Sequence, residues 1–141
     1  MYKISTKGKY ALLIMEDLAL GEPDKYIPLK TLSHRRNLSV KYLEQILIHL
    51  SKAHLVNGSR GLNGGYKLTK LPKDYTIGEI LRVMEGKLCP LGDFENNTVV
   101  SQGSRDFWKG FEEKINEYVD SIHLDELAEK NRNFVGFEYC I

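Results

Sequence analysis

Leu38-Ser39-Val40-Lys41-Tyr42-Leu43-Glu44-Gln45-Ile46-Leu47-Ile48-His49-Leu50 is followed closely by Leu55-Val56-Asn57-Gly58-Ser59-Arg60-Gly61-Leu62-Asn63-Gly64-Gly65-Tyr66-Lys67-Leu68. In the first stretch Ser39 is a good N-cap residue. Val40, Leu43, Ile46, Leu47 and Leu50 recur at helical spacing, which predicts a helix to about Ala53 with these five as its buried stripe. Its other face carries Ser39, Lys41, Tyr42, Glu44, Gln45, His49 and Lys52. The second stretch reads as a strand over 55–59, a glycine-rich turn over 60–65 and a returning strand over 66–68. A phosphate-binding glycine loop would open into a helix, whereas here a strand follows. A hairpin placed directly after such a helix is a wing, and glycines at its turn would let its backbone approach a ligand closely.

Upstream, Pro28 suits the first turn of a short helix from Leu29 to about Arg36, and Asn37 can take the left-handed conformation that closes it. A short helix, a tight turn and a longer helix make a helix-turn-helix. Before it, Ser5 or Thr6 can cap a helix carrying Tyr10, Ala11, Ile14 and Leu18, broadened by Leu13 and Met15 and ended by Gly21-Glu22-Pro23-Asp24.

Downstream, Thr76-Ile77-Gly78-Glu79 is a capping box that starts a helix with Ile77, Ile80, Leu81 and Met84 on one side. Residues 87–103 read as an irregular loop. Ser104 can cap a long helix to about Ile122, with Phe107, Trp108, Phe111, Ile115, Tyr118, Val119 and Ile122 as an aromatic-rich apolar stripe. That stripe can pack on its own domain or on a second copy of the chain. A twofold dimer is the expected use, because paired half-sites match twofold symmetry. Leu124, Leu127 and Ala128 suggest one more helical turn, and residues 131–141 read as an extended tail.

The expected class is therefore mainly α with a small β-hairpin wing. A winged helix-turn-helix domain over 1–86 is followed by the loop over 87–103, a dimerisation helix and short helix over 104–130, and the tail. The 141 residues, 42% apolar and 28% charged, suit a folded globular chain. Net charge is only +1, but the first 70 residues hold twelve basic and five acidic side chains. The remainder holds eight basic and fourteen acidic ones. A basic half facing a polyanion is one reading, and two ordinary solvated surfaces is the other. The opening residues lack the apolar core of a signal peptide, and no apolar run is long enough to span a membrane, so a cytoplasmic protein without membrane contact is expected. No Ser/His/Asp grouping, paired carboxylates or nucleotide motif points to an enzyme.

Together, Ile4-Ser5-Thr6-Lys7-Gly8-Lys9-Tyr10-Ala11, the run from Leu38 to Ile46, Arg60-Gly61, Gly64-Gly65-Tyr66, Thr76 to Ile80 and Val83-Met84-Glu85-Gly86 resemble the Rrf-two family of bacterial winged-helix transcription regulators. The resemblance is specific over 1–86 and looser through the long helix, which in that family dimerises. It implies a homodimer on a palindromic double-stranded operator. It also implies readout by Ser39, Tyr42, Glu44 and Gln45 at the start of the third helix and by Arg60 in a minor groove. Chemically, Glu44 can accept from cytosine N4, Gln45 can pair with adenine or touch phosphate, and Arg60 suits a narrow, negative groove. Lys7, Lys9, Lys41, Lys52 and Lys67 read as phosphate contacts, and Gly64 and Gly65 as the close-approach residues of the wing. Tyr42 could instead buttress its helix, and Glu44 could be a solvated side chain.

Relatives that carry an iron–sulfur cluster use three cysteines in the loop before the long helix. This chain has two cysteines in all, Cys89 in that loop and Cys140 near the end. The expectation is a repressor with no cofactor or bound metal, similar to the cluster-free branch that controls cysteine metabolism. The alternative is a redox or metal sensor on the same scaffold using Cys89, Cys140 or both. The cluster-free branch works with cysteine synthase, an enzyme that accepts a peptide ending in isoleucine, so the terminal Ile141 is a candidate partner-binding residue.

Overall fold

A computed structural model describes residues 3–92, 94 and 99–138, with side chains placed through Arg132. The elements are α1 (Thr6–Leu20), α2 (Leu29–Arg36), α3 (Val40–Lys52), β1 (Val56–Ser59), β2 (Gly65–Leu68), a 3-10 turn (Pro72–Asp74), α4 (Ile77–Glu85), α5 (Gln102–Ser121) and α6 (Leu124–Glu138).

The capping residues act as their types dictate. Ser5 Oγ accepts from the Gly8 amide at 3.0 Å, Ser39 Oγ from Tyr42 at 3.1 Å and Thr76 Oγ1 from Glu79 at 3.0 Å. Asn37 adopts φ 53°, the left-handed residue that ends α2. The expected capping box at Thr76 is half made, because the Glu79 carboxylate reaches Lys70 Nζ at 3.1 Å instead.

Helix α1 is the centre of the core. Its Ala11, Ile14 and Met15 are fully buried with Leu32 of α2, Leu43, Ile46, Leu47 and Leu50 of α3, Ile80 of α4 and Leu124 of α6. Val40 leaves the expected stripe: it stands 43% exposed on the first turn of α3, before that helix enters the core.

Strands β1 and β2 pair antiparallel, Val56 opposite Leu68 and Ser59 opposite Gly65. A third segment joins them, since Ile27 and Tyr66 exchange backbone hydrogen bonds of 2.8 and 2.9 Å. That close approach fixes Gly65, which has φ +141° and where a Cβ would lie 2.1 Å from the Ile27 carbonyl oxygen.

At the base of the hairpin the buried Tyr75 hydroxyl donates to the Leu55 carbonyl at 2.7 Å. It accepts from the Thr69 and Lys70 amides at 2.9 and 3.1 Å. Removing it takes a partner from the part-buried Thr69 and Lys70 amides and from the Leu55 carbonyl. Tyr75→Phe is therefore expected to lower unfolding stability by about 1–3 kcal/mol, read as a shifted denaturant midpoint with an unchanged slope. A smaller change than that range would show that water reaches those groups.

The C-terminal region differs from the sequence expectation in three ways. First, α5 begins at Gln102, capped by Ser101 rather than Ser104. Second, residues 124–138 form one helix, not a turn followed by an extended tail. Leu124 and Ala128 are buried in the core, and Asn131 donates to the buried Glu16 carboxylate of α1, so the helix is anchored well past the predicted end. Residues 139–141, with Cys140 and Ile141, lie outside the described residues. Third, the apolar stripe of α5 is divided. Ile115, Val119 and Ile122 pack on Ile77, Leu81 and Leu88 of their own chain. Phe107, Phe111 and Tyr118 stay exposed, with Trp108 half-buried beside the two phenylalanines.

Arg82 locks α5 onto α4, reaching Asp120 at 2.7 and 2.9 Å and Asn116 Oδ1 at 2.6 Å. The hydrogen bonds and charge of Arg82 hold Asp120 below the ordinary carboxylate range.

Candidate nucleic-acid interface

The spacing of α3 puts Lys41, Glu44, Gln45, Ile48 and Lys52 on one face, three and four residues apart, and all five are exposed, as is His49. Ser39 begins this face, with its hydroxyl already engaged as the helix cap. Tyr42 turns away from the outer face. Its ring meets that of Tyr10 edge-on, with centroids 5.9 Å apart, so it buttresses α3 against α1.

Beside this face stands the wing, with Arg60 exposed at its turn and Leu62 fully exposed at its tip. Among the described residues, neither Glu44 nor Arg60 has an ion-pair partner. Both charges are therefore open to an incoming ligand. Lys7 and Lys9 are exposed at the start of α1, as are Lys30, His34 and Arg35 on α2.

Between α3 and the wing lies a cleft of about 340 Å³, lined by Ile48, Ser51, Lys52, Ser59, Arg60 and Tyr66. Burial, and then the negative charge of Glu44, push the Tyr66 phenol above its ordinary value. It stays a neutral hydroxyl able to donate at physiological pH.

Two groups of the expected set have internal employment. Gly64 is buried, and a Cβ there would lie 2.3 Å from the Ser59 carbonyl oxygen, so Gly64 and Gly65 both serve closure of the hairpin. Lys67 lies over the Tyr26 ring, 4.9 Å from its centroid, and 3.9 Å from the Asp24 carboxylate. It ties the wing to the loop before α2, which counts against a role as a phosphate contact.

Sequence reading did not single out Ile48 or the third strand at Ile27. The signal for Ile48 was present, since it falls outside the 43/46/47/50 stripe. The Ile27–Tyr66 pairing joins distant segments and leaves no local signature.

A helix-turn-helix whose second helix presents an open, charged face beside a wing defines a winged helix-turn-helix DNA-binding protein. Comparison with known proteins agrees. The chain belongs to the Rrf2 family, whose model, described as "Rrf2: Iron-dependent Transcriptional regulator", matches residues 4–130. It is 39% identical over 126 residues to the HTH-type transcriptional regulator CymR of Bacillus subtilis (strain 168), covering 89% of each chain. It is 31% identical to the HTH-type transcriptional regulator IscR of Vibrio campbellii, covering 92% of this chain and 79% of that one. Among solved structures, that of B. subtilis CymR, titled the global cysteine regulator, superposes with TM-score 0.79 at 38% identity, covering 92% and 98% of the two chains. The chain is thus a DNA-binding transcription regulator of this family, mainly helical with a two-stranded wing, as its sequence led one to expect.

The iron named in the family description requires ligands, and iron–sulfur clusters are held by several thiolates. The chain has two cysteines. Cys89 is a free, half-buried thiol just beyond Leu88, whose carbonyl accepts from Asn116 Nδ2 at 3.0 Å. Among the described residues no three His, Cys, Asp or Glu side chains converge as a metal site. This donor set does not fit a family-type cluster. Also among the described residues, no helix is long and apolar enough to cross a membrane.

Proposed function

We propose that this chain is a homodimeric, cluster-free repressor that reads a palindromic operator and controls genes of cysteine and sulfur metabolism. The observation that carries the reading is the open face of α3 beside the wing: Glu44 and Gln45 for base edges, Arg60 for the minor groove, and Ser39, Lys41, Lys52 and Lys7 for the backbone. Similarity to CymR supports the sulfur assignment. The exposed Phe107, Phe111 and Tyr118 on α5, with the half-buried Trp108 beside them, supply the face for a second copy, while Ile115, Val119 and Ile122 hold that helix to its own domain. Cysteine synthase is the proposed protein partner, met through Ile141.

The test begins with anaerobic purification, an absorption spectrum and iron analysis, followed by sedimentation and a salt titration of binding to DNA upstream of the chain's own gene. A colourless, iron-free dimer is expected. Its log affinity should fall with log salt at a slope of roughly −5 to −9, the range for some six to ten neutralised phosphates. Added cysteine synthase should form a complex with the full chain and not with one lacking Ile141. Brown, iron-containing protein would overturn the cluster-free reading, and binding without sequence preference would overturn the operator reading.

A further inference from the structure

Helix α3 places one large aliphatic side chain in the middle of an otherwise polar outer face. Ile48 is 42% exposed, while Leu43, Ile46, Leu47 and Leu50 of the same helix are fully buried, so the core does not require an isoleucine there. Glu44 and Gln45 lie one turn before it, and Ser51 and Lys52 one turn after, at the three- and four-residue spacings that share a face. It also forms part of the wall of the cleft that ends at Arg60 on the wing. An apolar side chain in this position meets water in the free protein, and docking this helix face in a major groove would set it against base edges. In the major groove the C5-methyl of thymine is the apolar group on offer, and a branched aliphatic side chain complements it.

We infer that Ile48 is a specificity-determining residue that packs on a thymine methyl in each operator half-site, next to the bases read by Glu44 and Gln45. This rests on the proposed reading of α3 as the recognition helix. The polar pair selects by hydrogen bonding. Ile48 adds selection for a methyl group and against a cytosine, which lacks it, at the same place.

The experiment compares the wild-type dimer with Ile48→Ala and Ile48→Val on the operator fragment, using fluorescence anisotropy at fixed salt. Each thymine in turn is replaced by deoxyuridine, which deletes only the methyl. At one thymine per half-site, deoxyuridine should weaken the wild type about fourfold, the value of one buried methyl group. The same replacement should leave Ile48→Ala unchanged, and Ile48→Val should fall between. Thermal unfolding of both variants close to that of the wild type confirms that the fold is kept, as partial exposure predicts. If the wild type binds specifically and Glu44→Ala relaxes that specificity, but no thymine distinguishes the wild type from Ile48→Ala, the inference fails and the recognition-helix reading stands. If the wild type shows no sequence preference at all, both fail together.

Discussion

Arg36→Ala is expected to destabilise the protein by about 3–5 kcal/mol and lower its melting temperature by roughly 10 °C or more. Arg36 Nε and Nη2 meet the two oxygens of Asp17 at 2.8 and 2.7 Å, a bidentate geometry. The Asp17 side chain is only 7% exposed, so alanine leaves a carboxylate nearly out of water without its cation. Donating these hydrogen bonds to Asp17 raises the already high pKa of Arg36, which stays charged throughout the useful pH range. Replacing both partners with leucine should recover much of the loss, because the penalty comes from the stranded charge rather than from absence of the bond. Chemical denaturation of the single and double variants checks this. Equal losses in both would show that Arg36 acts by packing alone.

This pair also bears on DNA binding. It joins the end of α2 to α1, and the turn that follows is closed by the Leu38 amide donating to Ser33 at 3.1 Å and the Ser33 hydroxyl donating to Leu38. Loosening α2 changes the angle at which α3 leaves the turn, so Arg36→Ala should also weaken operator binding at temperatures well below its own melting point.

Glu44→Ala is expected to lower discrimination at one base pair of each half-site by about 1–3 kcal/mol, roughly ten- to hundredfold. The variant also loses a negative charge from the surface proposed to meet DNA, so non-specific binding should hold or tighten while specific binding falls. Lys52→Ala is the control. It should weaken binding to all sequences alike and make the salt slope shallower by about one unit. A Glu44→Ala profile that matches Lys52→Ala, uniform over sequences, would remove Glu44 from base readout.

Much of this protein was written in local patterns. Ser5, Ser39 and Thr76 cap helices because their hydroxyls satisfy free amides at the next turn, and Asn37 ends α2 because it tolerates a positive φ. The apolar periodicity of α1 and α3 placed the core, and the helix-to-hairpin order placed the wing. The class of protein followed from those signals, since both caps and periodicity act within a few residues of the chain.

Tertiary structure decided what depends on distant neighbours. Residue spacing showed that α5 is amphipathic, but only packing against α4 showed which part is buried on its own chain and which stays exposed. The glycines at 64 and 65 read as ligand-facing, and the structure adds a second demand on them, the Ser59 and Ile27 carbonyls that leave no room for a Cβ. Tyr42 could face either way until Tyr10 took its ring, and Lys67 read as a phosphate contact although Tyr26 and Asp24 hold it within the chain. The final helix continues past Lys130 because its first turns are buried on α1 and Asn131 reaches Glu16. Helix propensity over so short a segment is weak, and burial against α1 supplies the stabilisation that local sequence does not encode.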